Sequence, residues 1–522
     1  MSAIITDQFR INNATNFVNS ILDSTNAYYM VLGLCNPKQD GFGRDNNWQE
    51  VSSGGIIPNP TDNLNYVTHY KNTALFGKRV TSSSVRRVIK KNQWVVGRKY
   101  DMYRHDYSND NPSPISNKSR LYDCNYYVVN SDYRVYICLY NGSSGDNLSG
   151  NASQDEPNFI DFEPSKAGNS GDGYIWKYLF TIPPSDIVKF DSTEYIALPN
   201  NWDTSTDSQI ESIRENGDSI VNNNQLKIIY IKNRGNGYTP NKAVTVDIVG
   251  DGTGGKAFIE VNSSGRIENA TIIDGGSGYT YAIVDLGPLR PQGNFSGTYA
   301  ELIPIIPPSL GHGYDIYQEL GADRVLLYSR FDDSSLDFPT DTKFSQVSLI
   351  KNPSEYSSKE IYYSSQFSNL FSLKLINVSG ENNLSIGDKI YQDSSKAVGY
   401  VASYNQTTGV LKYFKDRSLY YGGDGTTTTD YLNVSTDSDA NTNFISGVIL
   451  NDSGFEASID ESFTGTIETI DNQSINLEST FTSGVSLPEI NSKTGDVIYI
   501  DNRPLVTRNL RQKEDVKIIL EF

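Results

Sequence analysis

Three histidines, His69, His105 and His312, are the side chains best suited to proton transfer near neutral pH. None has a second His or Cys three or four residues away or at zinc-site spacing, so no metal centre is expected. His105 stands between Arg104 and Asp106, which predicts a structural role. Residues 250–257, GDGTGGKA, approach a phosphate-binding loop. That loop needs Ser or Thr after the Lys and a helix to receive the phosphates, whereas Ala257 follows Lys256 and the next residues read as a strand, so a plain turn is predicted. Gly422, Gly423, Asp424, Gly425 and Asp430 could offer oxygens to calcium but lack the ligand spacing of an EF-hand. No nucleophile elbow stands at a strand-to-helix turn. Cys35, Cys124 and Cys138 are odd in number, which predicts free thiols in a reducing compartment. Cys124 and Cys138 fall on strands that read as paired, so a bridge between them stays open. The chain is therefore expected to carry no catalytic residue, no cofactor and no metal.

The elements that would position these residues are mostly strands. Tyr is abundant (35) against 3 Met and 4 Trp, and Gly reaches 42. Tyr, Val, Ile and Thr suit half-buried pleated surfaces, and Gly, Asn and Ser supply turns. Lys and Arg number 44 against 62 Asp and Glu, a net charge of -18, which repels nucleic-acid phosphates. The local basic run Lys78, Arg79, Arg86, Arg87, Lys90 and Lys91 is expected to be a solvated face or to pair with acidic neighbours. No apolar run is long enough for a membrane span, and the first residues lack a basic or apolar leader region.

Along the chain, residues 6–22 read as a helix capped by Thr6 or Asp7, with Phe9, Phe17 and Ile21 as its apolar stripe. A second short helix is predicted at 83–91. Strands are predicted at 28–34, 174–182 and 195–199, with a hairpin from 126–130 and 133–140 turning at Ser131-Asp132. The polar stretch 200–224 reads as a boundary. The tetrapeptide Gly-x-Gly-Tyr closes strands at 235–238 and 276–279, and recurs at 171–174 and 311–314. Its glycines suit positive φ in a tight turn over which the Tyr packs. Short strands around 386–391, 398–401 and 409–411 suggest a small barrel or sandwich, residues 418–443 an exposed loop, and two last strands are expected around Asn502-Arg503-Pro504. The fold class is mainly β: a multi-domain, sandwich-like core with a few short helices and two inserted small β-domains.

Several segments, in order, resemble one family. They include Ala3-Ile4-Ile5-Thr6, Pro58-Asn59-Pro60-Thr61-Asp62, the run from Gly171, Gly173, Tyr174 and Trp176 to Pro183-Pro184, Glu194 to Pro199, Gln346 to Ile350, and Ile498 to Asn502, Arg503 and Pro504. Together they look like the baseplate wedge subunit of T-even-type contractile-tailed phages, the gene product eight family. The resemblance covers roughly 1–224, 310–360 and 489–522, and the wedge core is expected at 1–224, 310–365 and 489–522. Residues 225–309 and 366–488 have no counterpart and read as β insertions in surface loops. The resemblance implies a virion protein of the tail baseplate, assembled in the bacterial host cytoplasm. It implies a homodimer that contacts neighbouring wedge proteins, with no catalysis, nucleic acid or membrane. A competing reading makes the insertions receptor- or glycan-binding modules for the host surface.

Overall fold

A computed structural model describes residues 6–33, 67, 70–71, 74–218, 225–332, 343–380, 384–385, 388–415, 443–468, 474–477, 479–491, 494–507 and 512–522. Strand (40%) far outweighs helix (11%), so the protein is mainly β. The chain divides into two compact units. The first holds Met1–Val18, Arg86–Leu326 and Ile519–Phe522, the second Asn19–Val85 and Leu327–Ile518.

The first helix spans Asp7–Leu22, and the Phe9 N–H donates to the Thr6 hydroxyl (3.3 Å). Its buried face is not the expected one. Ile11, Ala14, Val18 and Ile21 are buried, while Phe9 is 56% exposed. Steps of three, four and three residues align those four on one side, and Phe9 projects from the opposite side. The predicted helix at 83–91 is instead a strand, Val85–Lys90. β-Branched Val85, Val88 and Ile89 favour the extended state, and Val88 to Lys90 pair antiparallel with Ala197 to Tyr195. That partner lies about a hundred residues on, so local pattern could not reveal it. Strand Tyr195–Ala197 was legible, as were Tyr28–Gly33 and Tyr174–Thr181.

In the first unit, Tyr127–Val129, Arg134–Asn141 and Tyr174–Thr181 form a three-stranded antiparallel sheet. The hairpin turn is locked by Asn130, whose side-chain oxygen accepts from the Asp132 and Arg134 N–H groups (2.9 and 2.8 Å). One large apolar cluster covers this sheet. It takes in Trp202 and Ile213 from the stretch read as a polar boundary. Residues 208–218 there form a helix, with the Asp207 carboxylate accepting from the Gln209 and Ile210 N–H groups.

A second cluster fills the segment after residue 225. Its strands Ile267–Asp274, Lys256–Val261, Ala243–Gly250 and Ala282–Val284 lie in that order in one antiparallel sheet. Strand Ile229–Asn233 pairs with Glu301–Pro304 and alternates between two cores. Tyr230 packs in the large cluster, while Ile229 and Ile231 pack in the smaller.

The second unit has a five-stranded sheet in the order Gln366–Ser368, Ala74–Val80, Tyr28–Gly33, Lys343–Lys351, Asp496–Thr507. The last strand runs unbroken through Asn502, Arg503 and Pro504, where a break between two strands was expected. It is an edge strand, a place in a sheet that Pro tolerates because no ladder bond is needed on the open side. The strands after residue 370 close on themselves. Phe371–Ser379, Val410–Phe414, Val398–Asn405, Lys389–Tyr391, Val448–Asn451 and Glu456–Ile459 form a hydrogen-bonded ring of six. Leu373, Leu375, Val401, Leu411, Tyr413 and Phe455 belong to its apolar core. Closure removes exposed strand edges, so this part needs no neighbour to complete its sheet.

Candidate interaction site

The segment from Gly171 to Pro184 is built as a rigid spine. Gly171 and Gly173 have φ of +75° and +85°, a conformation that costs most residues energy. Between them, the Asp172 carboxylate accepts from the N–H groups of Tyr174 (3.0 Å) and Gln154 (2.8 Å). Tyr174 is buried; its hydroxyl donates to the Asn151 carbonyl (2.9 Å) and accepts from the Tyr100 N–H (3.0 Å). Trp176 is fully buried, stacks on Tyr174 at 5.3 Å and meets Tyr100 edge-on at 5.7 Å. The strand ends at Thr181. Pro183 caps the helix Pro184–Phe190, with Pro184 in its first turn, where a missing N–H costs nothing.

Beside the spine lies a buried ionisable cluster. Asp315 caps the short helix Ile316–Glu319 by accepting from the Tyr317 and Gln318 N–H groups. That helix presents Glu319, whose carboxylate meets the His312 ring nitrogen Nδ1 (2.5 Å) and accepts from the Gly313 N–H (2.7 Å). The Tyr103 ring meets His312 edge-on at 4.8 Å. Lys177, also buried, donates to the Phe162 carbonyl (2.6 Å). Burial pulls its pKa down to about 8, against the attraction of Glu319 and Glu163. The folded state thus holds this proton more weakly than the unfolded chain does. Stability should rise with pH between about 8 and 10 through this group, and the penalty for the charged form is complete below about 8. Lys177→Met is expected to flatten that rise, checked by denaturant midpoints across the same pH range.

The paired Gly-x-Gly-Tyr turns behave as the sequence suggested. Gly235 and Gly237 have φ of +59° and +83°, and Gly276 and Gly278 +59° and +76°. Tyr238 accepts from the Ala300 N–H (2.8 Å). Tyr279 accepts from the Gly255 N–H (2.9 Å) and donates to the Ile248 carbonyl (3.0 Å). The second turn therefore fastens residues 250–257, which run straight into a strand, and no helix N-terminus faces a phosphate there. A Cβ on Gly235 would sit 2.6 Å from the Ala300 nitrogen. Gly235→Ala is expected to cost roughly 1–3 kcal/mol, measured by chemical denaturation.

The remaining candidates are scattered. Arg86 pairs bidentately with Asp186 (2.7 and 2.9 Å), and Lys91 with Asp191 (2.8 Å). Arg87 is buried with its guanidinium 3.9 Å from the centre of the Tyr317 ring. In the second unit Lys78 faces Asp332 (3.8 Å) and Arg79 lies over Tyr363 (5.4 Å). Much of the basic run is thus paired or packed on aromatic rings, and Lys90 is exposed. His105 accepts from the Ile306 N–H (3.1 Å). Cys124 and Cys138 are buried free thiols, and burial pushes both pKa values up. In the second unit Asn502 is buried and accepts from the Gln346 side chain (2.8 Å), while Arg503 pairs with Asp501 (2.6 Å). Cys35, His69, the 418–442 loop and the glycine-rich calcium candidate lie outside the described residues. Among the described residues, no group of three or more His, Cys, Asp or Glu could hold a metal ion.

What the spine and its neighbours define is a packed scaffold, with its ionisable groups spent on internal bonds. Residues 138–238 match the family described as Bacteriophage T4, Gp8. The chain is also 26% identical over 216 residues to "Baseplate wedge protein gp8" of Enterobacteria phage T4, an alignment covering 38% of this chain. It spans 60% of that relative's length. These matches bear out the resemblance to the T-even baseplate wedge family. The family match contains the whole spine and ends at Tyr238, the ring that closes the first paired turn.

Proposed function

We propose that this chain is a non-enzymatic structural subunit of a phage tail baseplate wedge, located in the virion and assembled in the bacterial host cytoplasm. It forms a homodimer, contacts neighbouring wedge proteins, and stays docked while the baseplate changes shape. The observation that carries this reading is the family match over residues 138–238, which contains the Gly171–Pro184 spine and its buried aromatic residues. Residues buried this firmly suit a part that moves as a rigid body about its interfaces. Cryo-electron microscopy of intact virions tests it: the chain should account for baseplate density, and its absence from the baseplate would sink the reading. Sedimentation tests the dimer separately, and a monomer at micromolar concentration would remove it.

We likewise read 1–224, 310–365 and 489–522 as the wedge core, with 225–309 and 366–488 inserted. Two observations support this: the apolar cluster of the first segment, which shares strands Ile229–Asn233 and Glu301–Pro304 with the large cluster, and the closed ring of strands after residue 370 with its own core. Deleting 366–488, which also removes the edge strand Gln366–Ser368 of the five-stranded sheet, should leave a folded dimer; aggregation of the shortened chain would count against the division.

A further inference from the structure

We propose that the loop over residues 287–300 is a binding platform for a carboxylated saccharide, with a sugar ring stacked on Tyr299 and its carboxylate paired with Arg290. The proposal stands apart from the wedge reading and does not depend on it.

The loop is fastened by the first paired turn. Tyr238 receives the Ala300 N–H, and the Asn236 side chain accepts from the Thr298 N–H (2.9 Å). The Asn236 N–H donates back to the Thr298 carbonyl (3.0 Å). Gly237 lets Gly297 approach so closely that a Cβ would lie 2.7 Å from its Cα. On this base Phe295 packs against Tyr238 at 5.2 Å, and Tyr299 packs against Phe295 at 4.8 Å. The Arg290 guanidinium lies 5.7 Å from the Phe295 ring centre and 5.0 Å from that of Tyr299. Tyr299 nevertheless keeps 58% of its surface in solvent.

An exposed aromatic ring held between Phe295 and Arg290 offers contact area with little ordering left to lose on binding. Its face suits the C–H face of a sugar, and the phenol edge can share hydrogen bonds with hydroxyls. Charge selects among sugars. In a chain of net charge -18, Arg290 has no ion-pair partner among the described residues. A second cation, Lys242, donates to the neighbouring Pro288 carbonyl (2.5 Å) and also has no carboxylate within ion-pair distance among them. A planar guanidinium bonds a carboxylate through two parallel N–H groups, so a uronic-acid ring satisfies both the stacking surface and the free charge.

The test uses the full chain, calorimetric titration with a galacturonate oligomer, and a neutral malto-oligosaccharide as control. Saturable binding of the galacturonate oligomer is expected, about tenfold or more tighter than the control. Tyr299→Ala and Arg290→Ala should each weaken it about tenfold, and Tyr299→Phe should stay within about twofold. Arg290→Gln, which keeps much of the bulk and removes the charge, tests the carboxylate pairing, while also giving up the guanidinium's contact with the two rings. The proposal is overturned by no binding, by equal binding of the neutral sugar, or by unchanged affinity in Arg290→Gln.

Discussion

Replacing Trp176 with alanine destabilises the first unit by about 3–5 kcal/mol, the range for losing a fully buried large aromatic. Trp176 is fully buried, and its ring is shared between Tyr174 and Tyr100, so the cavity cannot collapse without moving both. Tyr174 in turn holds the Tyr100 backbone, so the loss spreads from packing into hydrogen bonding. A second variant separates the two. The Trp176 indole N–H has no acceptor among the described residues. Trp176→Phe therefore gives up area but removes an orphan donor, and its cost should be well below that of alanine. Guanidinium unfolding followed by near-ultraviolet circular dichroism measures both. Equal losses for Phe and Ala would mean that the ring stack is not what holds this sheet.

The second large effect is at Glu319. Glu319→Ala should cost about 3–5 kcal/mol, because it strips a buried group from partners that cannot reach water. The carboxylate holds both the His312 ring and the Gly313 N–H, and no other bond to either is found among the described residues. Lys177, nearby and buried, would also lose the negative charge that offsets its own burial. Glu319→Gln keeps an oxygen for one donor and is expected to fall between wild type and alanine. A loss under about 1 kcal/mol for Glu319→Ala would place the pair in a relaxed, hydrated setting.

How much of this was legible depended on how local the cause was. The hairpin at 127–141 and the Gly-x-Gly-Tyr turns were readable because each is decided within a few residues. The first helix was readable too, but not its face. Two Phe outweighed Ile11, Ala14 and Val18 on paper, although the smaller residues fit the packed side. The strand at Val85–Lys90 and the helix at Ser208–Asp218 were missed for opposite reasons. The strand's partner is far along the chain. The helix carried a local signal, Asp207 followed by Ile210 and Ile213, that its polar surroundings masked. His312 and Glu319 come together only because a turn and a short capped helix bring seven residues back on themselves. The Arg290 platform needed the Asn236 and Tyr238 bonds to the next loop before its residues could be seen as one surface. The family segments spread over the chain, yet they divide between units: the Gly171–Pro184 spine lies in the first, Asn502 to Pro504 in the second.

The division of the chain bears on how the protein is made. Neither unit is one uninterrupted stretch, since the first takes Met1–Val18 and Ile519–Phe522 together with Arg86–Leu326. The second closes only with the stretch up to Ile518. At about 5–20 residues per second, the ribosome needs on the order of tens of seconds to go from the spine to Ile518. During that time the aromatic spine is already in the cell while both units still lack a segment. Parts of the nascent chain that can finish early, such as the ring of strands between Phe371 and Ile459, can fold ahead of the units that contain them.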